Sequence, residues 1–134
     1  MADDPVAEAV GAWMAWAAGD LLAAERCRAD LLMPAWVIGF HCQQAIEKAL
    51  KAQFLDAAVE PPRIHDLLRL NELVRLAGLP QCVPDQLLEA LLPFAVADRY
   101  PVLSAPVRMR DEVDTYVDAV GAAVREIGRA VQAG

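Results

Sequence analysis

Polar side chains suited to binding or acid-base chemistry are concentrated between residues 36 and 55, along one side of an apolar helix pattern. The apolar positions at helical spacing are Trp36, Phe40, Ile46, Leu50 and Phe54. The polar positions are a row spaced by three and four residues, His41, Gln44, Lys48 and Lys51, and beside it the i, i+4 pair Gln43 and Glu47. A solvated helix face is one interpretation, because charges opposite an apolar stripe are the norm. Two glutamines and a Glu-Lys pair among so many apolar residues favour polar groups held at a helix-helix contact.

A second candidate set lies in the segment from Pro62 to Asp66, at the predicted start of a later helix. Either His65 or Asp66 is expected to be the N-cap of that helix, and local capping is the simpler interpretation of Asp66. An unperturbed imidazole titrates near neutral pH. Since His65 also lies two residues from Arg63, the two side chains could serve acid-base or phosphate chemistry at a helix N-terminus.

Asp20 falls on or beside the apolar stripe of the first predicted helix, which should run from Asp4-Pro5 to about Leu32. A carboxylate that is partly buried must be paired or hydrogen-bonded. We therefore expect a basic or amide partner from another helix. An anchor that fixes helix register is favoured over a catalytic role.

Length and composition predict one all-α domain over residues 1–134. The chain is 57% hydrophobic, Ala and Leu dominate, and no two-residue alternation is sustained. Its longest apolar runs are too short to cross a bilayer, and the acidic first residues are unlike a secretory signal. A cytoplasmic protein without membrane contact is therefore expected. Three cysteines without paired spacing predict reduced core residues.

The net charge of −7 argues against a broad basic surface that grips nucleic acid through many phosphates. Any nucleic-acid contact should therefore be local. The chain has no Gly-rich phosphate loop and no His-Glu metal motif, and His41-Cys42 alone is a poor ligand set because zinc sites need three or four ligands. Neither a metal site nor a cofactor is predicted.

Five helices, two of them short or bent, should form an up-and-down bundle. The second begins at Pro34 and fades near Asp56, and the third ends at Gly78. A fourth begins at Pro84-Asp85 and is kinked by Pro93 before Ala97. The last follows Pro106, with an apolar side formed by Val113, Tyr116 or Val117, Val120, Val124, Ile127 and Val131.

Four segments together form a recognisable pattern: WAAGDL from Trp16, CQQAIEKALKA from Cys42, PRIHDL from Pro62 and RYP from Arg99. These segments resemble HEPN-domain proteins, a nucleotide-binding helical family, and among them the type that accompanies minimal nucleotidyltransferases. They span most of the chain in the expected order, and the second is the most specific. The resemblance implies a helical bundle, usually dimeric, that binds or acts on RNA or nucleotides, often as half of a toxin-antitoxin pair.

The chain departs from the pattern of the ribonuclease members in one respect. Those members carry a histidine four to six residues after an arginine, whereas neither histidine here lies at that distance from any arginine. The residues after Arg99 include no histidine up to Pro106. RNA cleavage of the usual HEPN type is therefore in doubt, since the missing histidine would supply the general acid or base.

Three functions remain open. The first is a nucleotide- or RNA-binding module in which Lys48, Lys51, Arg63 and Arg99 contact phosphate and Tyr100 stacks or donates a hydrogen bond. The second is a nuclease that uses His65 with Arg99. The third is a structural bundle in which Asp20, Glu47, Lys48, His65 and Arg99 only pair with one another. Asp20, Gln44, Glu47 and Asp66 are assigned to a structural polar network.

A homodimer or a complex with a nucleotidyltransferase is expected. So much apolar surface should exceed what one monomer can cover. The second and fourth helices are the expected contact surfaces, and the ligand is expected to be a nucleotide or RNA.

Overall fold

The computed structural model describes residues 4–95 and 110–133. This part of the chain forms five α-helices and one 3₁₀-helix, with no strand among the described residues. The α-helices are α1 Pro5–Ala29, α2 Ala35–Asp56, α3 Leu67–Leu76, α4 Asp85–Leu91 and α5 Arg110–Ala133, and the 3₁₀-helix spans Leu92–Phe94. The predicted all-α bundle is confirmed.

The start of α1 follows from its local sequence. The carboxylate of Asp4 accepts hydrogen bonds from the backbone N–H groups of Val6 and Ala7, at 3.0 and 3.2 Å, and Pro5 occupies the first helical position. The predicted end near Leu32 is wrong, because the helix stops at Ala29 and Asp30 is extended. The Asp30 carboxylate then accepts from the N–H of Leu32, which stabilises a turn instead of a further helical turn.

The central helix of the bundle is α2, which packs against α1, α3, α4 and α5. These neighbouring helices bury most of its residues, including Ile38, Ile46 and Leu50. One contact is especially close. A Cβ added at Gly39 would lie 2.5 Å from the ring of Phe94, so only glycine lets the 3₁₀-helix pack against α2 at this point.

The short helices α3 and α4 cover one side of α2. Asp66 is the N-cap of α3, with its carboxylate accepting from the N–H groups of Leu68 and Arg69, and Gly78 follows the helix with a φ of 72°. The predicted irregularity at Pro93 is present, since α4 changes to a 3₁₀-helix at Leu92 where proline cannot continue the α-helical hydrogen bonds. The 3₁₀-helix ends at Phe94, and Ala97 lies outside the described residues.

The last helix, α5, closes the bundle against α1 and α2. Its predicted apolar side is buried at Val113, Val117, Val120, Val124 and Ile127, whereas Tyr116 and Val131 lie at the edge of the core. Arg110 at its first turn donates to the carbonyls of Met33, at 3.0 Å, and of residues 27 and 28 at the end of α1. These bonds stabilise the last carbonyls of α1, which have no intrahelical partner.

Large apolar side chains remain exposed mainly on and after α1, at the start of α2 and at the end of α3. They are Val6, Trp16, Leu22, Leu31, Leu32, Trp36, Val59 and Leu76. By contrast, Leu87, Leu88 and Leu91 of α4 are buried within the bundle. The apolar surface that was expected on the fourth helix is thus absent from the described part of it, and that of α2 is limited to its first turns. In the described ranges no helix is both long and apolar enough to span a membrane.

Candidate functional site

A carboxylate from α1 organises the first cluster of polar side chains. Asp20 accepts a hydrogen bond from the ammonium group of Lys48, and its second oxygen lies 3.0 Å from Nδ1 of His41. Both partners belong to α2, and the Asp20 side chain is only 13% exposed. The expectation that Asp20 pairs with a basic group from another helix is confirmed. We call Asp20, His41 and Lys48 the Asp20 cluster.

A carboxylate from α2 organises a second cluster. Glu47 has 7% of its side chain exposed, and its Oε2 lies 3.4 Å from Nζ of Lys51 and 3.1 Å from Nδ1 of His65. Its Oε1 accepts from the amide of Gln43 at 3.3 Å, and Gln44 donates to Gln43 at 2.7 Å. We call Glu47, Lys51, His65, Gln43 and Gln44 the Glu47 cluster.

The two clusters repeat one arrangement. In each, a mostly buried carboxylate holds a lysine of α2 and the Nδ1 atom of a histidine. A carboxylate on Nδ1 fixes the orientation of the ring, and Nε2 is then the nitrogen available to a ligand. The Asp20 cluster joins α2 to α1, whereas the Glu47 cluster joins α2 to the segment before α3 through His65.

The two lysines predicted to contact phosphate differ in accessibility. Lys48 is partly exposed beside Asp20. Lys51 has only 8% of its side chain exposed, with its ammonium group between Glu47 and the ring of Trp13, 6.0 Å from the ring centroid. Lys51 is thus held at a helix-helix contact, as favoured for the polar band, and its assignment to a phosphate contact stays a prediction. Trp13 and Glu47 cover it, and its charge is neutralised inside the bundle.

The segment before α3 presents its polar residues to solvent. His65 is 79% exposed although its Nδ1 is held by Glu47. The guanidinium of Arg63 is 90% exposed and 3.4 Å from Glu60, a surface pair of the kind that contributes little to stability. Asp66, which was assigned to the polar network, caps α3. Among the described residues no hydrogen bond or ion pair joins the two clusters, and Arg99, which the structural interpretation placed in a single network with them, lies outside these residues.

Arg99 and Tyr100, the remaining predicted site residues, lie outside the described residues. The described chain ends at Ala95 just after the 3₁₀-helix and begins again at Arg110.

The prediction of site residues missed two side chains, His41 of the Asp20 cluster and Trp16 of α1. His41 was placed in the polar row but given no role, although its seven-residue separation from Lys48 puts both on one helix face. Trp16 was noted only as part of a matching segment. Its spacing of three residues from Trp13 and four from Asp20 was the signal that the three share a face of α1.

The two buried cysteines, Cys42 and Cys82, offer no reactive thiol. All three cysteines are free thiols, and burial raises the pKa of Cys42 to about 12. Burial also raises the pKa of Cys82. Over the described residues, no group of three or more His, Cys, Asp or Glu side chains could hold a metal ion.

Comparison with protein-family models gives a match to the HEPN domain over residues 10–129, which is most of the chain. The chain belongs to the HEPN family. No curated protein and no solved structure gives a significant match. The matched region includes both clusters, and membership supports a module whose function involves nucleotides or RNA.

Proposed function

We propose that this HEPN protein binds a nucleotide or RNA and acts as the partner of a minimal nucleotidyltransferase, in a pair of the toxin-antitoxin or defence type. The family match supports the ligand class. The observation that carries the binding site is the repeated arrangement along α2 of a mostly buried carboxylate with a lysine and a histidine. Each carboxylate holds one lysine and one histidine in place before the ligand binds, which lowers the entropic cost of binding.

We assign the phosphate contacts to Lys48, Arg63 and His65. The assignment of Arg99 and Tyr100 to the same function rests on the sequence alone. Lys48 and His65 are oriented by Asp20 and Glu47. Arg63 is free to leave its exposed pair with Glu60 and can bind a phosphate through two parallel hydrogen bonds. Lys51 takes an indirect part, since it neutralises Glu47 inside the bundle. Few phosphate contacts are consistent with a protein whose net charge is −7.

The binding assay compares two arginines in matched surroundings. Arg63 and Arg69 are both exposed, and both form an i, i+3 pair with a glutamate. We expect Arg63→Ala to weaken binding of a labelled single-stranded RNA and to lower the salt slope by about 0.7, the value of one phosphate contact. Arg69→Ala should change neither quantity. Equal effects of the two substitutions would show that only the overall charge matters, and the assigned phosphate site would then be wrong.

The partner assignment has its own test. Purified HEPN protein and the nucleotidyltransferase encoded beside it should elute together in size-exclusion chromatography at micromolar concentration. Separate elution at every concentration would reject the partnership while leaving the RNA-binding measurement unaffected.

A nuclease is the second candidate, and the contact between Glu47 and His65 favours it. A carboxylate at Nδ1 of an exposed histidine is the arrangement that orients a general base. In this case His65→Ala should lower RNA cleavage about a hundredfold or more in the presence of a chelator. Arg99→Ala should also lower it. Equal cleavage by both variants and the wild type would indicate a contaminating nuclease.

A further inference from the structure

The exposed surface of α1 carries an aromatic side chain that neither the core nor the two clusters explain. Trp16 is 56% exposed, although a large apolar ring gains stability from burial. Its position is nevertheless fixed. The ring of Trp13 meets it edge to face with the centroids 5.4 Å apart, and Trp13 in turn lies beside the ammonium group of Lys51. Trp16 thus presents an ordered aromatic surface to solvent.

The carboxylate that organises the Asp20 cluster lies on the same face of α1. Trp13, Trp16 and Asp20 are separated by three and four residues, which places them on one helix face. Asp20 is one turn along from Trp16 and holds Lys48 and His41, both partly exposed. Trp16 therefore lies about one helical turn, or ~5.4 Å along the axis of α1, from the carboxylate that holds Lys48 and His41.

We propose that Trp16 stacks on an unpaired nucleobase while Lys48 and His41 contact the phosphate attached to it. This inference rests on the proposed function. It adds a binding site for the nucleobase, which the phosphate contacts do not provide. Stacking on exposed aromatic rings beside cations is how proteins bind single-stranded nucleic acid, because every base has a flat π surface. A mononucleotide offers the same chemistry as an unpaired base in RNA.

The charge of the protein favours an unpaired ligand over a duplex. A duplex is bound mainly through many phosphates, and a protein with a net charge of −7 offers few cations for them. Stacking contributes affinity that does not depend on positive charge. The charges beside Trp16 also favour a phosphate-bearing ligand over a purely apolar protein surface, since Lys48 and His41 stay accessible there.

The chain offers a matched control for this proposal. Trp36 is 58% exposed, almost the same as Trp16. It lies twelve residues before Lys48 on α2, about 18 Å along the helix axis, and about 140° round the helix from His41, so it cannot stack on a base whose phosphate is held by these two side chains. Trp16→Leu and Trp36→Leu remove the same side chain from surfaces of equal exposure.

The experiment measures affinity by fluorescence anisotropy with a labelled short oligoadenylate and with an abasic oligonucleotide of the same length. We expect Trp16→Leu to weaken oligoadenylate binding about tenfold, Trp16→Tyr to retain most of it, and Trp36→Leu to leave it unchanged. The abasic strand should bind wild type and Trp16→Leu equally weakly. Competition by adenosine monophosphate but not by ribose 5-phosphate would support a site for the free nucleotide, and competition by neither would support recognition within a strand.

Other results would overturn the proposal. They are equal losses in the two leucine variants, equal affinity of wild type for the abasic and base-containing strands, and a Trp16→Leu effect on sedimentation without an effect on affinity. The last of these would make Trp16 a protein contact. Binding that depends on Arg63 but not on Trp16 would reject this inference alone, whereas no RNA or nucleotide binding by wild type would reject the proposed function with it. Thermal unfolding of each variant shows whether it is folded, and Trp16→Tyr tests the site if the leucine variant is unstable.

Discussion

Replacing Asp20 with alanine should lower the free energy of unfolding, because it removes a carboxylate that two side chains of α2 share. The substitution leaves the ammonium group of Lys48 and the ring of His41 without their shared carboxylate, at a point where Asp20 itself is 13% exposed. Leaving one buried polar partner unsatisfied costs about 1–3 kcal/mol. Because Lys48 and His41 are partly exposed, water replaces some of the lost bonding, and the total should stay within about 1–3 kcal/mol.

Urea unfolding measures this loss directly. The midpoint should fall while the m-value stays constant, which shows a change in stability without a change in the surface exposed on unfolding. Asp118→Ala is the matched control. Asp118 pairs with Arg28 at 2.8 Å, but its side chain is 78% exposed, so the loss should be below about 1 kcal/mol.

A double-mutant cycle separates the ion pair from other effects of the substitution. Lys48→Met removes the charge that Asp20→Ala would leave unpaired, so the double variant should lose less than the sum of the two single losses. Additive losses, or an Asp20→Ala protein as stable as Asp118→Ala, would refute the conclusion that Asp20 is a paired structural anchor. A stable Asp20→Ala protein that no longer binds ligand would instead make Asp20 a functional residue.

Three further predictions concern Gly39 and Cys42 of α2 and Arg110 at the start of α5. Gly39→Ala should cost about 1–3 kcal/mol by overpacking against the 3₁₀-helix, while Gly19→Ala, which meets open space in α1, should be neutral or stabilising in the same thermal unfolding assay. With a folded pKa of about 12 against 9.0 unfolded, Cys42 keeps its proton where the unfolded chain loses it, so stability should fall as pH rises from 9 toward 12. A thiol reagent near pH 8 should modify Cys27, which is partly exposed, well before Cys42; equal rates would contradict this burial. Arg110→Met should lower stability by about 1–3 kcal/mol and increase hydrogen exchange at the end of α1, because it removes donors to two carbonyls there and to the carbonyl of Met33; unchanged exchange would refute that role.

Local chemistry made the helix starts predictable. Asp4 and Asp66 are short acceptor side chains placed directly before apolar helix patterns, and both cap their helices as such residues do. The polar band of α2 was predictable in the same way. A Gln and Glu pair among apolar residues cannot be buried without partners, which is why a helix-helix contact was favoured for it.

Tertiary contacts account for what the sequence pattern missed. The end of α1 depends on Arg110, about eighty residues later in the chain, which donates to the carbonyls at that end. Lys51 occupies a position of the polar row, yet Trp13 of α1 covers it. Helical periodicity gives the direction of a side chain from its own helix, but it does not say which neighbouring helix lies in that direction.

The exposure of His65 bears on whether the two clusters only stabilise the bundle. A structural interpretation accounts for Asp20 and Glu47, since both carboxylates are mostly buried and fully paired. It does not account for His65, which remains 79% exposed and, at that exposure, adds little stability through its ion pair. Because the stability of the bundle does not require an exposed histidine at this point, the contact with Glu47 is better explained by the orientation it gives to the ring. His65→Ala should therefore leave the free energy of unfolding within about 0.5 kcal/mol of wild type, so any loss of RNA binding or cleavage in that variant reports on the site itself.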